Sequence, residues 1–211
     1  MGFKCQHCGE CCRNVSAQIN LSIADLNRIC QFLKCEIEQI MPKIGIVPFL
    51  SENNNFYYEL GLNLPCQFRK NERCTIYPAR PLNCRMFPYF ILNTDIINHE
   101  FACLKNERNY GEEEKNKYKE YTKLMGDLIL KEAELTEQFY QENNLKQSKK
   151  VDLELPPFFS EKKKNELKIR KALTLVDLDN YHNLTQQLQQ FIEKHVFTSF
   201  ERINQNETKL L

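Results

Sequence analysis

Two groups of cysteines constrain this chain more than anything else in it. The first is Cys5-Gln-His-Cys8-Gly-Glu-Cys11-Cys12, a C-x2-C-x2-C run with a fourth cysteine directly adjoining. The second comprises Cys66, Cys74, Cys84 and Cys103. Thiolates three positions apart on a tight turn grip one metal ion, the usual first half of a zinc or iron–sulfur site. Gly9 stands where such a turn needs a residue free to take positive φ. His7 lies within the loop, but Cys5 and Cys8 already hold the gripping positions. Cys11 and Cys12 are neighbours, so their side chains leave the backbone in different directions. That arrangement suits a polynuclear centre or two nearby metals better than one ion. A bacterial ferredoxin would place a cysteine at position 15 with proline after it; Val15 and Ser16 stand there. The remaining ligands must therefore come from the second group.

Ten cysteines could also mean disulfides. No apolar run approaches the ~20 residues of a membrane span, and the N-terminus lacks the basic-then-apolar layout of a signal peptide. The expectation is a cytoplasmic protein, in which cysteines serve as metal ligands. A net charge of +1 gives no field that would draw in nucleic acid.

Along the chain, Ser22 with Asp25 three residues on reads as a capping box opening a helix. Ile23, Leu26, Ile29, Cys30 and Leu33 mark its apolar face. Cys30 and Cys35 read as packing or terminal thiols. A short helix from Glu36 to Met41 should stop before Pro42. Residues 46 to 104 read as short strands and turns, with an aromatic strand at 56–60 and a hairpin over 90–97. Amphipathic helices are expected over about 112–146, where Glu132 interrupts the apolar stripe, and over about 161–203. The fold class is thus α+β: a small cysteine-rich, metal-bound domain over residues 1–104 and a helical portion over 105–211.

The second group sits in a longer pattern. It reads Pro65-Cys66-x-Phe68, then Cys74-x-Ile76-Tyr77-x-x-Arg80-Pro81-x-x-Cys84-Arg85-x-Phe87-Pro88. With the 3–12 loop, these pieces resemble the YkgJ-type, or CxxCxxCC, cysteine-cluster family over roughly residues 3–104. The resemblance implies a zinc- or iron-chelating domain with Cys5, Cys8, Cys11, Cys12, Cys66, Cys74, Cys84 and Cys103 as ligands. Cys103 fits by position alone, since Leu104 and Lys105 follow it where proline and glycine are usual. Arg80 and Arg85 flank Cys84 and are expected to offset thiolate charge through hydrogen bonds to sulfur. Tyr77, Phe87 and Pro88 should shield the site from water.

Three functions follow from this reading. The first is a metal-binding protein holding an iron–sulfur cluster or zinc, with iron–sulfur preferred because adjacent cysteines suit several metals. The second is a methyl-transferring enzyme, since flagellin lysine N-methylases contain a similar cysteine segment. Six glycines with no glycine-rich phosphate loop give that reading little local support. The third is an interaction module whose C-terminal helices bind a protein partner.

Overall fold

The computed structural model describes residues 9–13, 19–50, 55–62, 64–89, 111–143, 149–150, 157–158, 160, 163–164, 167–168 and 179–210. Within them the fold is α+β. Cys5, His7, Cys8 and Cys103, the 90–97 hairpin and most of 161–178 lie outside the described residues.

Gly9 takes φ +71 and turns the chain into a single 3-10 turn, Glu10–Cys12. After β1 (Ile19–Asn20) comes α1 (Ile23–Leu33), opened by Ser22 and Asp25 in a reciprocal capping box. The expected apolar face is the buried one, with Ile23, Leu26 and Ile29 fully covered. Helix α2 (Ile37–Ile40) is shorter than expected. Pro42 does not end the chain's winding; it sits inside a further 3-10 turn, Met41–Lys43, where its missing N–H costs nothing.

Strand β2 (Ile44–Leu50) pairs antiparallel with β3 (Asn55–Leu62) along its whole length, Ile44 facing Leu62 and Leu50 facing Phe56. Pro48 is tolerated because β2 is the outer strand of the order β1-β3-β2. Strand β3 runs past the aromatic stretch to Leu62, with Gly61 opposite Gly45. A small hairpin follows, β4 (Arg69–Lys70) with β5 (Arg73–Cys74). Its two-residue loop, Asn71-Glu72, has φ of 47 and 63, the left-handed pair that a tight right-twisted hairpin requires. Helix α3 (Leu82–Met86) carries Cys84.

The long helix α4 (Glu112–Glu142) runs as its stripe predicted. Strand β6 (Lys149–Lys150) pairs with β3. The expected helix to about 203 is two helices, α5 (Asp179–Lys194) and α6 (Phe200–Leu210). The break has a local cause. Ser199 Oγ accepts from the Arg202 N–H at 3.3 Å, so it caps a new helix, and the β-branched Val196 and Thr198 precede it. Among the described residues no helix is long and apolar enough to cross a membrane.

Two buried apolar clusters result. The larger joins α1, α2 and β3 to Phe139 and Tyr140 of α4 and to Leu184, Leu188 and Phe191 of α5, so it draws on residues from both sides of residue 104. The smaller gathers Leu82, Tyr89, Tyr118, Tyr121, Met125 and Ile203. Cys66, Cys74 and Cys84 pack at the margin of the larger one.

Candidate metal centre

The two cysteine groups meet at the backbone first. The Cys66 N–H donates to the Cys12 carbonyl at 2.9 Å, tying the N-terminal loop to the Pro65 turn. The Arg69 N–H then donates to the Cys66 carbonyl at 3.1 Å and starts the β4–β5 hairpin, which places Cys74 opposite Arg69. Helix α3 is set by two further bonds. The Leu82 N–H donates to Asp25 Oδ1 at 3.0 Å, and Asn83 Nδ2 to the Asn20 carbonyl at 3.0 Å. Thus Asp25, beyond capping its own helix, holds the start of the helix that presents Cys84.

None of the seven described cysteines is joined in a disulfide. Cys11 Sγ and Cys12 Sγ lie 3.8 Å apart. Hydrogen bonding from the Cys11 and Cys66 thiols holds Cys12 far below the usual thiol range, with Arg69 and Arg13 adding positive charge and burial opposing them. Cys66 is pushed up by sharing its proton with Cys12 and by burial. Burial also pushes Cys84 up, reinforced by the charges of Cys12, Asp25 and Cys74 and opposed by Arg80. Cys11, Cys12, Cys66, Cys74 and Cys84 therefore share one electrostatic neighbourhood. Among the described residues no three Cys, His, Asp or Glu side chains converge closely enough to hold an ion by themselves.

The 3.8 Å separation answers the crowding expected of adjacent cysteines. Sulfurs at about 2.3 Å from a tetrahedral ion are about 3.8 Å from one another. Neighbouring residues in this 3-10 turn can thus span one edge of a thiolate tetrahedron.

Arg80 and Arg85 are spent elsewhere than expected. Both pair with Glu207 of α6. Arg85 also donates to Asn204 Oδ1 at 2.8 Å and to the carbonyls of Arg80, at 3.1 Å, and Pro78. Arg80 donates to the Tyr77 carbonyl at 3.1 Å, and its guanidinium lies 4.1 Å from the Tyr77 ring centroid. None of these bonds ends on sulfur. Arg80 acts on Cys84 through space alone.

The residue that stands against the sulfur group is Arg69, which the cysteine pattern did not single out. Its side chain lies over Gly9, so a Cβ there would overlap the guanidinium. Its Nε is buried with no hydrogen-bond partner. A basic residue three positions after Cys66 and five before Cys74 was the available signal. The orphaned donor and the all-sulfur donor set both fit an anionic, thiolate-held metal.

The chain matches the model of the CxxCxxCC family, described as a "putative zinc- or iron-chelating domain", over residues 4–150. No solved structure matches it.

Proposed function

From the premise that this chain belongs to the CxxCxxCC family of zinc- or iron-chelating domains, we propose that it holds zinc or iron in an all-thiolate site in which Cys11 and Cys12 are ligands of the same ion. The observation that carries this reading is their 3.8 Å sulfur separation, the edge of a tetrahedron of thiolates. Cys66 hydrogen-bonds Cys12 and is the third donor. One of Cys5 and Cys8 completes this set of four. The other, with Cys74, Cys84 and Cys103, supplies a second ion.

A bound zinc ion would neutralise thiolates and cross-link the loop, the hairpin and α3; bound iron would add a redox couple. The protein's own residues set the conditions. Four thiolates around a divalent ion leave two negative charges. Arg69, whose positive charge already favours the Cys12 thiolate, offsets part of that charge. With all four positions filled by sulfur, no coordination site stays open for a substrate, which favours a structural, storage or electron-transfer role over hydrolysis.

An iron–sulfur cluster is the second reading. It is favoured by the presence of five cysteines in one neighbourhood, more than one ion needs. Iron, zinc and acid-labile sulfide per chain, measured on protein purified without oxygen, separate the two. About two zinc or iron ions without sulfide is the expected result. Iron with matching sulfide installs the cluster reading, and no bound metal removes both.

A further inference from the structure

Cys30 and Cys35 lie outside the ligand set proposed above. They sit at the other end of α1, and the backbone brings them together. Lys34 is left-handed at φ 52; its N–H donates to the Gln31 carbonyl at 3.4 Å, and the Cys35 N–H donates to the Cys30 carbonyl at 3.1 Å. This pair of bonds is the Schellman helix end, whose two flanking positions hold side chains in mutual contact. Two apolar residues normally make that contact. Here two thiols occupy those positions. Both are half-buried, so they rest on the core yet remain open to small reagents.

We propose that Cys30 and Cys35 form a second thiol site, separate from the metal centre, which closes to an intramolecular disulfide on exchange with a small disulfide of the glutathione type. One cysteine, as thiolate, attacks a sulfur of the oxidant and expels one small thiolate, leaving a mixed disulfide. The second cysteine, as thiolate, attacks the protein-side sulfur and expels the other. The protein loses two electrons and two protons, and the oxidant leaves as two thiols. Closure brings the sulfurs to about 2.05 Å across a helix end whose backbone bonds already place the two residues side by side. Burial, with Cys35 and the Glu36 and Glu38 carboxylates, pushes Cys30 up to about 12, so the thiol form persists at neutral pH until such exchange.

Trypsin makes the test direct. Cleavage after Arg28, Lys34 and Lys43 places the two cysteines on separate peptides, 29–34 and 35–43. The full-length, metal-loaded chain is titrated with mixtures of oxidised and reduced glutathione, quenched with N-ethylmaleimide, digested and weighed. The expected product is peptide 29–34 joined to 35–43, rising with the oxidised fraction while metal per chain stays constant. Cys30→Ser and Cys35→Ser each abolish it. Recovery of both peptides as maleimide adducts or glutathione conjugates across the titration overturns the proposal. So does linkage of either cysteine to Cys11, Cys12, Cys66, Cys74 or Cys84, or loss of metal in step with closure.

Discussion

Two buried charge clusters flank the helix that carries Cys84, and they are built in opposite ways. On one side Arg28, fully buried, lies between Asp25 and Glu132. On the other, Arg80 and Arg85 share the single carboxylate of Glu207. One positive charge against two negative leaves the first cluster with a negative surplus; two against one leaves the second positive. Burial disfavours the charge of Arg28, but Asp25 and Glu132 outweigh it and hold its pKa above the ordinary value. Arg85 goes the other way, lowered by burial and by Arg80 against the pull of Glu207. The difference bears on the thiolates. Asp25 raises Cys84 and Arg80 lowers it, so the positive cluster favours ionised sulfur while the negative one serves to fasten α1, α3 and α4.

The comparison breaks most visibly at Arg28. Arg28→Met leaves Asp25 and Glu132 buried without a cation and should cost about 3–5 kcal/mol in denaturant unfolding. Adding Glu132→Leu should recover part of that loss, because the second uncompensated charge goes too. A double variant no more stable than the single one would contradict the charge account. Glu207→Gln is next. It leaves Arg80 and Arg85 without a carboxylate, at a cost of about 2–4 kcal/mol, since Glu207 is 15 % exposed and partly screened. Because it adds positive surplus beside Cys84, metal per chain at saturation should stay full. Depletion of metal alongside retained stability would reverse the roles assigned to the two clusters.

Arg69→Met sharpens the comparison at the sulfur group itself. Arg69 is no part of either cluster, and its ion pair among the described residues, with Glu72, is exposed at 3.4 Å. Stability of the metal-free chain should change by less than about 1 kcal/mol. Transfer of metal to a competing chelator should speed up by about tenfold, the loss of one positive charge beside the thiolates. Equal transfer rates would mean the buried Nε serves packing alone. The smallest effect expected is alkaline. Cys30 ionises at about 12 in the fold against an ordinary value of 9.0. Its contribution to stability is complete below pH 9 and disappears as pH rises from there to about 12. Tyr89, Tyr121 and Tyr140 are raised by burial and act in the same direction. Unfolding free energy should fall above pH 9, less steeply in Cys30→Ala.

Much of this architecture was legible in the sequence because it is local. The Ser22–Asp25 box, the α1 face and the α4 stripe are all set within a few residues. Even the polar interruption at Glu132 was visible, though its partner Arg28 was not. What escaped depends on distance. Glu207 reaches Arg80 across 127 residues, and nothing in the spacing of either announces it. The break before Ser199 was hidden by an apolar stripe that continues to Ile203, because α6 turns to bury that residue in the second cluster. Strand β2 was hard to read because Pro48 is neutral only on an outer strand, which is a fact of topology. At the candidate site the cysteine groups were readable as groups. The approach of Cys11 to Cys12, and the choice of Arg69 over Arg80 and Arg85 beside the sulfurs, follow from the Gly9 turn and the β4–β5 hairpin folding against each other.

The central claim is that Cys11 and Cys12 hold one ion within an all-thiolate shell. Metal-edge X-ray absorption on the loaded protein addresses it directly. The account predicts a shell of four sulfurs at about 2.3 Å with no lighter scatterer and no metal–metal vector, and loss of one sulfur from that shell in either Cys11→Ser or Cys12→Ser. A shell containing nitrogen or oxygen in the unaltered protein, or a shell untouched by one of the two serines, would contradict it.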